Sequence, residues 1–201
     1  MPENRNRSRD RRFLHRAFTP DEQALIGRMS KAPDAVLWAL WAGKEGAYKA
    51  VSRHNPGISS APRRYQVRFL ADDPETGLDC SGEAVLSGFV QTPAGEVSFQ
   101  TYFTPQYVHC LVVTGGDLPD DRLIFHVLHR QGPSDHSDML RLAAARRLSS
   151  LLAIDPALIE NHRSRTSTGF GAPCILVAGR KSEIAISLSH DGCYGAFALL
   201  C

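Results

Sequence analysis

The spacing of apolar positions changes period twice along this chain, from helical to alternating and back, before it ends on a second alternating stretch. Residues 1–12, "MPENRNRSRDRR", are almost wholly polar and predict a mobile, disordered N-terminal segment. "FTPDEQALIGRMS" then combines a cap-like Thr19, Pro20 at a first helical position and acidic residues in the first turn, which predicts a helix over about 20–29. Pro33 opens a second helix, in which Leu37, Leu40, Trp41, Ala47, Tyr48 and Val51 recur at the three-and-four spacing of one buried face. Between 64 and 114 the runs "YQVRF", "EAVLSGFV", "EVSFQTYF" and "YVHCLVV" alternate and are broken by "DPETG", "TPAGE" and "TPQ", the pattern of a β-meander. "SDMLRLAAARRLSSLLAI", residues 137–154, returns to helical spacing behind Ser137 and Asp138, both able to cap. "EIAISLSHDGCYGAFALL" reads as a hairpin around a His-Asp-Gly turn. No internal repeat is visible in the letters. The pattern predicts an α+β fold in a single domain over 1–201: a small antiparallel sheet packed by a long central helix and by the helix near 137–154.

Composition narrows the classes of function. With 201 residues, 43% of them hydrophobic, the chain can bury a core of its own. A formal charge of +2 argues against a broad nucleic-acid surface, although six arginines fall within the first sixteen residues. Five scattered cysteines without a CxxC pair argue against a disulfide framework and a zinc knuckle, and read as reduced thiols. No apolar run approaches the ~20 residues that span a bilayer, and the polar start has no signal-peptide core. The expected location is cytoplasmic.

Two segments carry candidate chemistry. "WAGKEGAYKA", residues 41–50, places a glycine on each side of Lys44-Glu45, and each glycine costs about 1 kcal/mol relative to alanine in a helix interior. Paired glycines imply that something approaches this helix closely. Trp38, Ala42, Glu45 and Lys49 fall along one stripe at ~100° per residue, apart from the main buried face, so the tryptophan reads as partly buried or as a ligand wall. In "SLSHDG", His190 ends an alternating strand beside a turn, with its ring free to face a ligand.

Taken in order, "RFLHRAFTPDE", "WAGKEGAYKA" and "ISLSHDGCYGAFAL" resemble the R-x-F-T-x-x-E, W-x-x-K-E-x-x-x-K and S-x-S-H-D segments of the phosphopantetheinyl transferase superfamily. The order of the last two is that of the holo-acyl-carrier-protein synthase type. The resemblance implies transfer of the phosphopantetheine arm of coenzyme A to a serine of an acyl or peptidyl carrier protein, of fatty-acid, polyketide or peptide synthesis, with Mg2+ at the diphosphate. In such a reaction positioning and charge neutralisation carry most of the rate. Glu45 matches the family's metal-binding glutamate, an oxygen ligand of the kind Mg2+ prefers. Lys49 matches the motif's second lysine and would neutralise phosphate charge, Lys44 matches the first, and His190 matches the histidine that contacts coenzyme A phosphates. Arg63 and Arg64, in "NPGISSAPRRYQV", are additional candidate phosphate contacts, with exposed strand-start charges as the alternative. The β-rich stretch from about 70 to 130 matches nothing in the small synthases and is expected to be an insertion.

One departure bears on activity. The family opens with a strand carrying Gly-x-Asp, whose aspartate is the other protein ligand of the metal; here that place holds the polar run in which Asp10 is the only aspartate. The alternative to an active transferase is therefore a degenerate or N-terminally truncated relative that binds coenzyme A or a carrier protein without efficient transfer. A third reading makes "FHVLHRQGPSDHSD" a metal site built from His126, His129, Asp135, His136 and Asp138, but its spacing fits no recognised ligand pattern. Because the family shares its site between two halves and each motif occurs once here, self-association into a homo-oligomer is expected.

Overall fold

Thr19 opens the best-formed helix start in the chain. Its side chain accepts from the Glu22 N–H at 3.3 Å and the Glu22 carboxylate accepts from the Thr19 N–H at 2.8 Å, a reciprocal capping box closed by Pro20 in the first turn. The computed structural model describes residues 7–29, 32–71, 74, 83–116, 118, 121–130, 135–166 and 169–201. Part of the "DPETG" break, Cys80 and residues 1–6 lie outside them. By its internal contacts the chain divides into two units, Met1–Leu118 and Pro119–Cys201.

The first unit begins with a 3-10 turn over Arg7–Arg9 and helix α1 (Arg11–Ala17), followed by α2 (Pro20–Arg28) and α3 (Pro33–Ser52). A second 3-10 turn, Pro62–Arg64, leads into strands β1 (Gln66–Phe69), β2 (Ala84–Thr92), β3 (Gly95–Phe103) and β4 (Val108–Val113), an antiparallel meander in chain order. Val67, Val90, Val97 and Phe99 on one sheet face share a core with Val36, Leu37, Leu40, Ala47 and Val51 of α3. Full burial of each valine, leucine or phenylalanine among them is worth about 1.5–3 kcal/mol.

Residues 7–12, expected to be mobile from their polarity, lie in the 3-10 turn and the start of α1. Asp10 caps α1 by accepting from the Phe13 N–H at 3.1 Å, and the Ser8 N–H donates to Asp34 of α3 at 2.9 Å. The ordering comes from a partner twenty-six residues away, so no local pattern carries it. Phe13 then packs on Phe18, Trp38 and Trp41 at ring separations of 5.7, 6.3 and 5.5 Å. Trp38, read as partly buried or as a ligand wall, is partly buried and packs on Phe13 of α1.

The second unit holds β5 (Leu123–His129), α4 (His136–Leu152), a 3-10 turn at Pro156–Leu158, β6 (Ile159–His162), a small hairpin of β7 (Arg165–Thr166) and β8 (Gly169–Phe170), then β9 (Cys174–Val177), β10 (Arg180–Asp191) and β11 (Tyr194–Leu200). Its five-stranded antiparallel sheet runs β5-β11-β10-β9-β6, and Leu140, Ala144 and Leu148 of α4 bury against Ile175, Ile186 and Phe197. The cap of α4 is Asp135, which accepts from the Ser137 N–H at 2.7 Å, rather than Ser137 or Asp138. The stretch 70–130 contributes three strands to one sheet and one to the other. The class is α+β with antiparallel sheets, as expected, and each long helix has a sheet of its own. Both units share one order of elements, a long helix, a proline-led 3-10 turn and four antiparallel strands adjacent in the sheet (β1-β2-β3-β4 and β6-β9-β10-β11), with the β7–β8 hairpin between β6 and β9 in the second.

The two glycines of "WAGKEGAYKA" face the sheet. A Cβ on Gly43 would come within 3.3 Å of Val67, and one on Gly46 within 2.6 Å of Val112 Cγ2. The close approach that the glycines announced is therefore by β1 and β4. Valine is stiff at χ1 and yields poorly. Gly46→Ala should destabilise the protein by about 1–3 kcal/mol through overpacking, despite alanine's helix preference. Val112→Ala added to it should restore part of the loss in urea unfolding; a stabilising Gly46→Ala would contradict this packing.

Candidate active site

Helix α3 carries Lys44, Glu45 and Lys49, and its rotation about its own axis is set by Lys44. That side chain is 2% exposed and its ammonium pairs with Glu22 Oε2 at 2.8 Å, itself 4% exposed. The same ammonium donates to the carbonyls of Pro62, at 3.2 Å, and Tyr65, so all three of its protons are used. Its Nζ also lies 5.6 Å from the centre of the Phe18 ring. Glu22 is equally occupied: besides Lys44 and the Thr19 N–H, its Oε1 accepts from the Val67 N–H of β1 at 2.9 Å. Burial holds the Lys44 ammonium below its ordinary range, with the Glu22 charge acting in the opposite direction.

Lys44, assigned to coenzyme A by its motif position, is thus buried and committed to the fold. Glu45, the next residue, turns outward and is exposed, as is Lys49 one turn further on. Arg63 and Arg64 are exposed in the Pro62–Arg64 turn, and the two carbonyls held by Lys44 bracket that turn on either side. The structure therefore joins the Arg63-Arg64 turn to α3 at the residue next to Glu45. His190 belongs to the second unit, exposed near the end of β10 and opposite Gly195 of β11. A two-residue loop led by Gly192, at φ 55°, closes this hairpin.

Among the described residues no group of three or more His, Cys, Asp or Glu could hold a metal ion. His126 pairs in register with Phe197 and His129 with Tyr194, Asp135 caps α4, and Asp138 pairs with Arg141 at 3.2 Å, so the five-residue metal reading finds no cluster. Asp10 is a helix cap that also pairs with Arg7 at 3.0 Å, and the Phe13 N–H, then Arg7, hold its carboxyl below the usual range. Glu45 remains as one exposed carboxylate on α3. A single carboxylate suits Mg2+ where substrate phosphates and water complete its shell, and does not suit a metal held by protein alone.

Sequence reasoning missed three residues. Glu22 stood inside the quoted T-x-x-E, where the capping signal concealed its second partner. His109 on β4 is partly buried, and burial first, then the nearby Lys49 charge, push its pKa down to about 4. His136, considered only for metal, stacks on His190. Cys110, whose thiol burial pushes up to about 12, is packing material rather than a nucleophile. No helix among the described residues is long and apolar enough to cross a membrane.

Residues 2–106, just over half of the chain, match the family model of the 4′-phosphopantetheinyl transferase superfamily, and the chain belongs to that superfamily. Its members act on coenzyme A and carrier proteins, which makes this protein a transferase in general class. The match takes in Glu22, Lys44, Glu45, Lys49, Arg63 and Arg64. Neither curated proteins nor solved structures provide a match to the chain.

Breaking a buried ion pair from one side strands the other charge, at about 3–5 kcal/mol. Glu22→Gln and Lys44→Met should each destabilise on that scale, while the double variant should lose clearly less than their sum in chemical unfolding; strict additivity would deny the coupling. For His109, the folded ring stays neutral until about pH 4 whereas the unfolded ring takes its proton near 6.5. The unfolded state binds more protons in that window, so stability falls as pH drops from 6.5 towards 4, by as much as about 3 kcal/mol. His109→Gln should flatten this part of the stability profile, and an unchanged slope would remove His109 as its source.

Proposed function

We propose that this protein transfers phosphopantetheine from coenzyme A to the serine of an acyl or peptidyl carrier protein, in the manner of the holo-acyl-carrier-protein synthase type, whose motif order it shares. The observation that supports this reading best is the division of labour on α3: Lys44 is locked into the fold, and the lock presents Glu45 and Lys49 outward on a helix anchored to the Arg63-Arg64 turn. One carboxylate and three cations on neighbouring elements match the needs of a diphosphate with its counter-ion.

In this reading Glu45 would hold Mg2+, which when bound withdraws charge from phosphoryl oxygens and eases departure of the leaving group. Lys49 neutralises charge on the diphosphate and donates hydrogen bonds to the departing nucleotide phosphate. Arg63 and Arg64 offer planar, two-pronged contacts to phosphate oxygens. His190 contacts a further phosphate of coenzyme A. The carrier serine attacks phosphorus; its oxygen–phosphorus bond forms as the bond to the departing nucleotide phosphate breaks, and the serine proton leaves to solvent or a nearby base.

Glu45→Gln keeps the shape and removes the charge. Mass spectrometry of an apo acyl carrier protein incubated with coenzyme A, Mg2+ and this protein should show the mass gain of the phosphopantetheine arm with wild type and none with Glu45→Gln, while the two proteins melt alike. Lys49→Ala should weaken coenzyme A binding in calorimetry, more so at raised salt. Undiminished transfer by Glu45→Gln would remove this residue from the reaction.

A further inference from the structure

His190 is the penultimate residue of β10, one residue before a two-residue loop, and is exposed. A ring in that setting samples several rotamers, and fixing one of them costs conformational freedom when a ligand binds. Here it is not left to sample. The His136 ring lies over it, with centroids 5.3 Å apart and planes inclined by 16°.

The stack follows from how α4 meets its sheet. His136 and Leu140 are four residues apart and share a helix face. His190 and Gly195 are directly opposite each other across β10 and β11. Leu140 lies on Gly195 so closely that a Cβ there would meet its side-chain carbons at 3.1–3.2 Å. Two successive turns of the helix therefore meet one cross-strand pair, Leu140 on Gly195 and His136 on His190. Glycine at 195 lets α4 down to the height at which the rings touch, and Asp135 fixes the start of the helix. The fold itself gains little from an imidazole at 136. Its Nε2 is enclosed with no hydrogen-bond partner among the described residues, an arrangement that disfavours histidine relative to an apolar ring.

We propose that His136 is a positioning residue for His190: by stacking it holds the His190 imidazole in one orientation toward a phosphate group of coenzyme A. This rests on the transferase reading, in which His190 contacts such a phosphate. His136 itself touches no ligand in this proposal.

The test uses the full chain, coenzyme A as the probe, and titration calorimetry beside NMR of the histidine ring protons. His136→Gln keeps polarity without a stacking ring, and should weaken coenzyme A binding about fivefold, the scale of one side chain newly immobilised on binding. His136→Phe restores the stack and should stay within about twofold of wild type on the same reasoning. The His190 ring resonances should move in His136→Gln, where ring-current shielding is lost, and keep a shielded position in His136→Phe. His190→Ala should weaken binding as much as the His136→Gln/His190→Ala double variant. If His190→Ala leaves affinity unchanged, the assignment of His190 to a phosphate fails, and this inference fails with it. If His190→Ala weakens binding but His136→Gln does not, the positioning role alone is overturned. Equal losses in the Gln and Phe variants, with equal melting temperatures, would likewise overturn it by making His136 a direct contact.

Discussion

The first unit is organised around one buried charge pair. Glu22 and Lys44 sit at the meeting point of α2, α3 and β1, and their side chains hydrogen-bond to the start of α2, the entry to β1 and both ends of the Pro62–Arg64 turn. Hydrophobic burial presses α3 on the sheet but is indifferent to small rotations of the helix. An ion pair with fixed partners is not. Pairs of this kind add little net stability against an apolar replacement, and their best-attested use is to specify one arrangement among several. Here the specified quantity is the phase of α3. With Lys44 pointing in, Glu45 must point out, since successive helix residues are ~100° apart.

The glycines act on the same helix along a different coordinate. Gly43 and Gly46 remove the Cβ atoms that would stand between α3 and the valines of β1, β2 and β4, so the helix backbone lies nearer the sheet than an alanine-lined helix would. Rotation is set by charge and distance by the absence of side chains. Together they fix the backbone positions from which Glu45 and Lys49 project, both of them exposed.

Much of this architecture was legible in the letters because its causes are local. Thr19, Pro20 and Glu22 mark a helix start within four residues, the four alternating runs of the meander match four strands, and the Asp-Gly following His190 marks the hairpin turn. What escaped depends on partners distant in sequence. Lys44 lies among apolar positions of α3, yet a lysine next to a glutamate reads as a solvated pair until Glu22, twenty-two residues earlier, is brought to it. The order in residues 7–12 needs Asp34, and the stack on His190 needs a helix fifty residues before it. The motif lysines and glutamate of α3 could be found by resemblance, but resemblance treats Lys44 and Glu45 alike, and only the fold separates the structural charge from the presented one. The repeated plan of helix, turn and meander was likewise hidden, because the two copies share an order of elements and not a pattern of residues.

The two copies differ in one respect that governs how each can be assembled. In the first unit each described strand pairs with its neighbour in chain order, so the sheet can grow as the chain emerges from the ribosome. In the second, β5 comes first in the chain but pairs only with β11, which comes last and lies in the interior of the sheet, and Arg122 is tied to Cys201 at the far end of that pairing. Until β11 is made, β5 has no partner and the edge of β10 is open. The first unit can thus be native while the second still exposes strand edges, and β11 closes a sheet begun with β5 some seventy residues earlier.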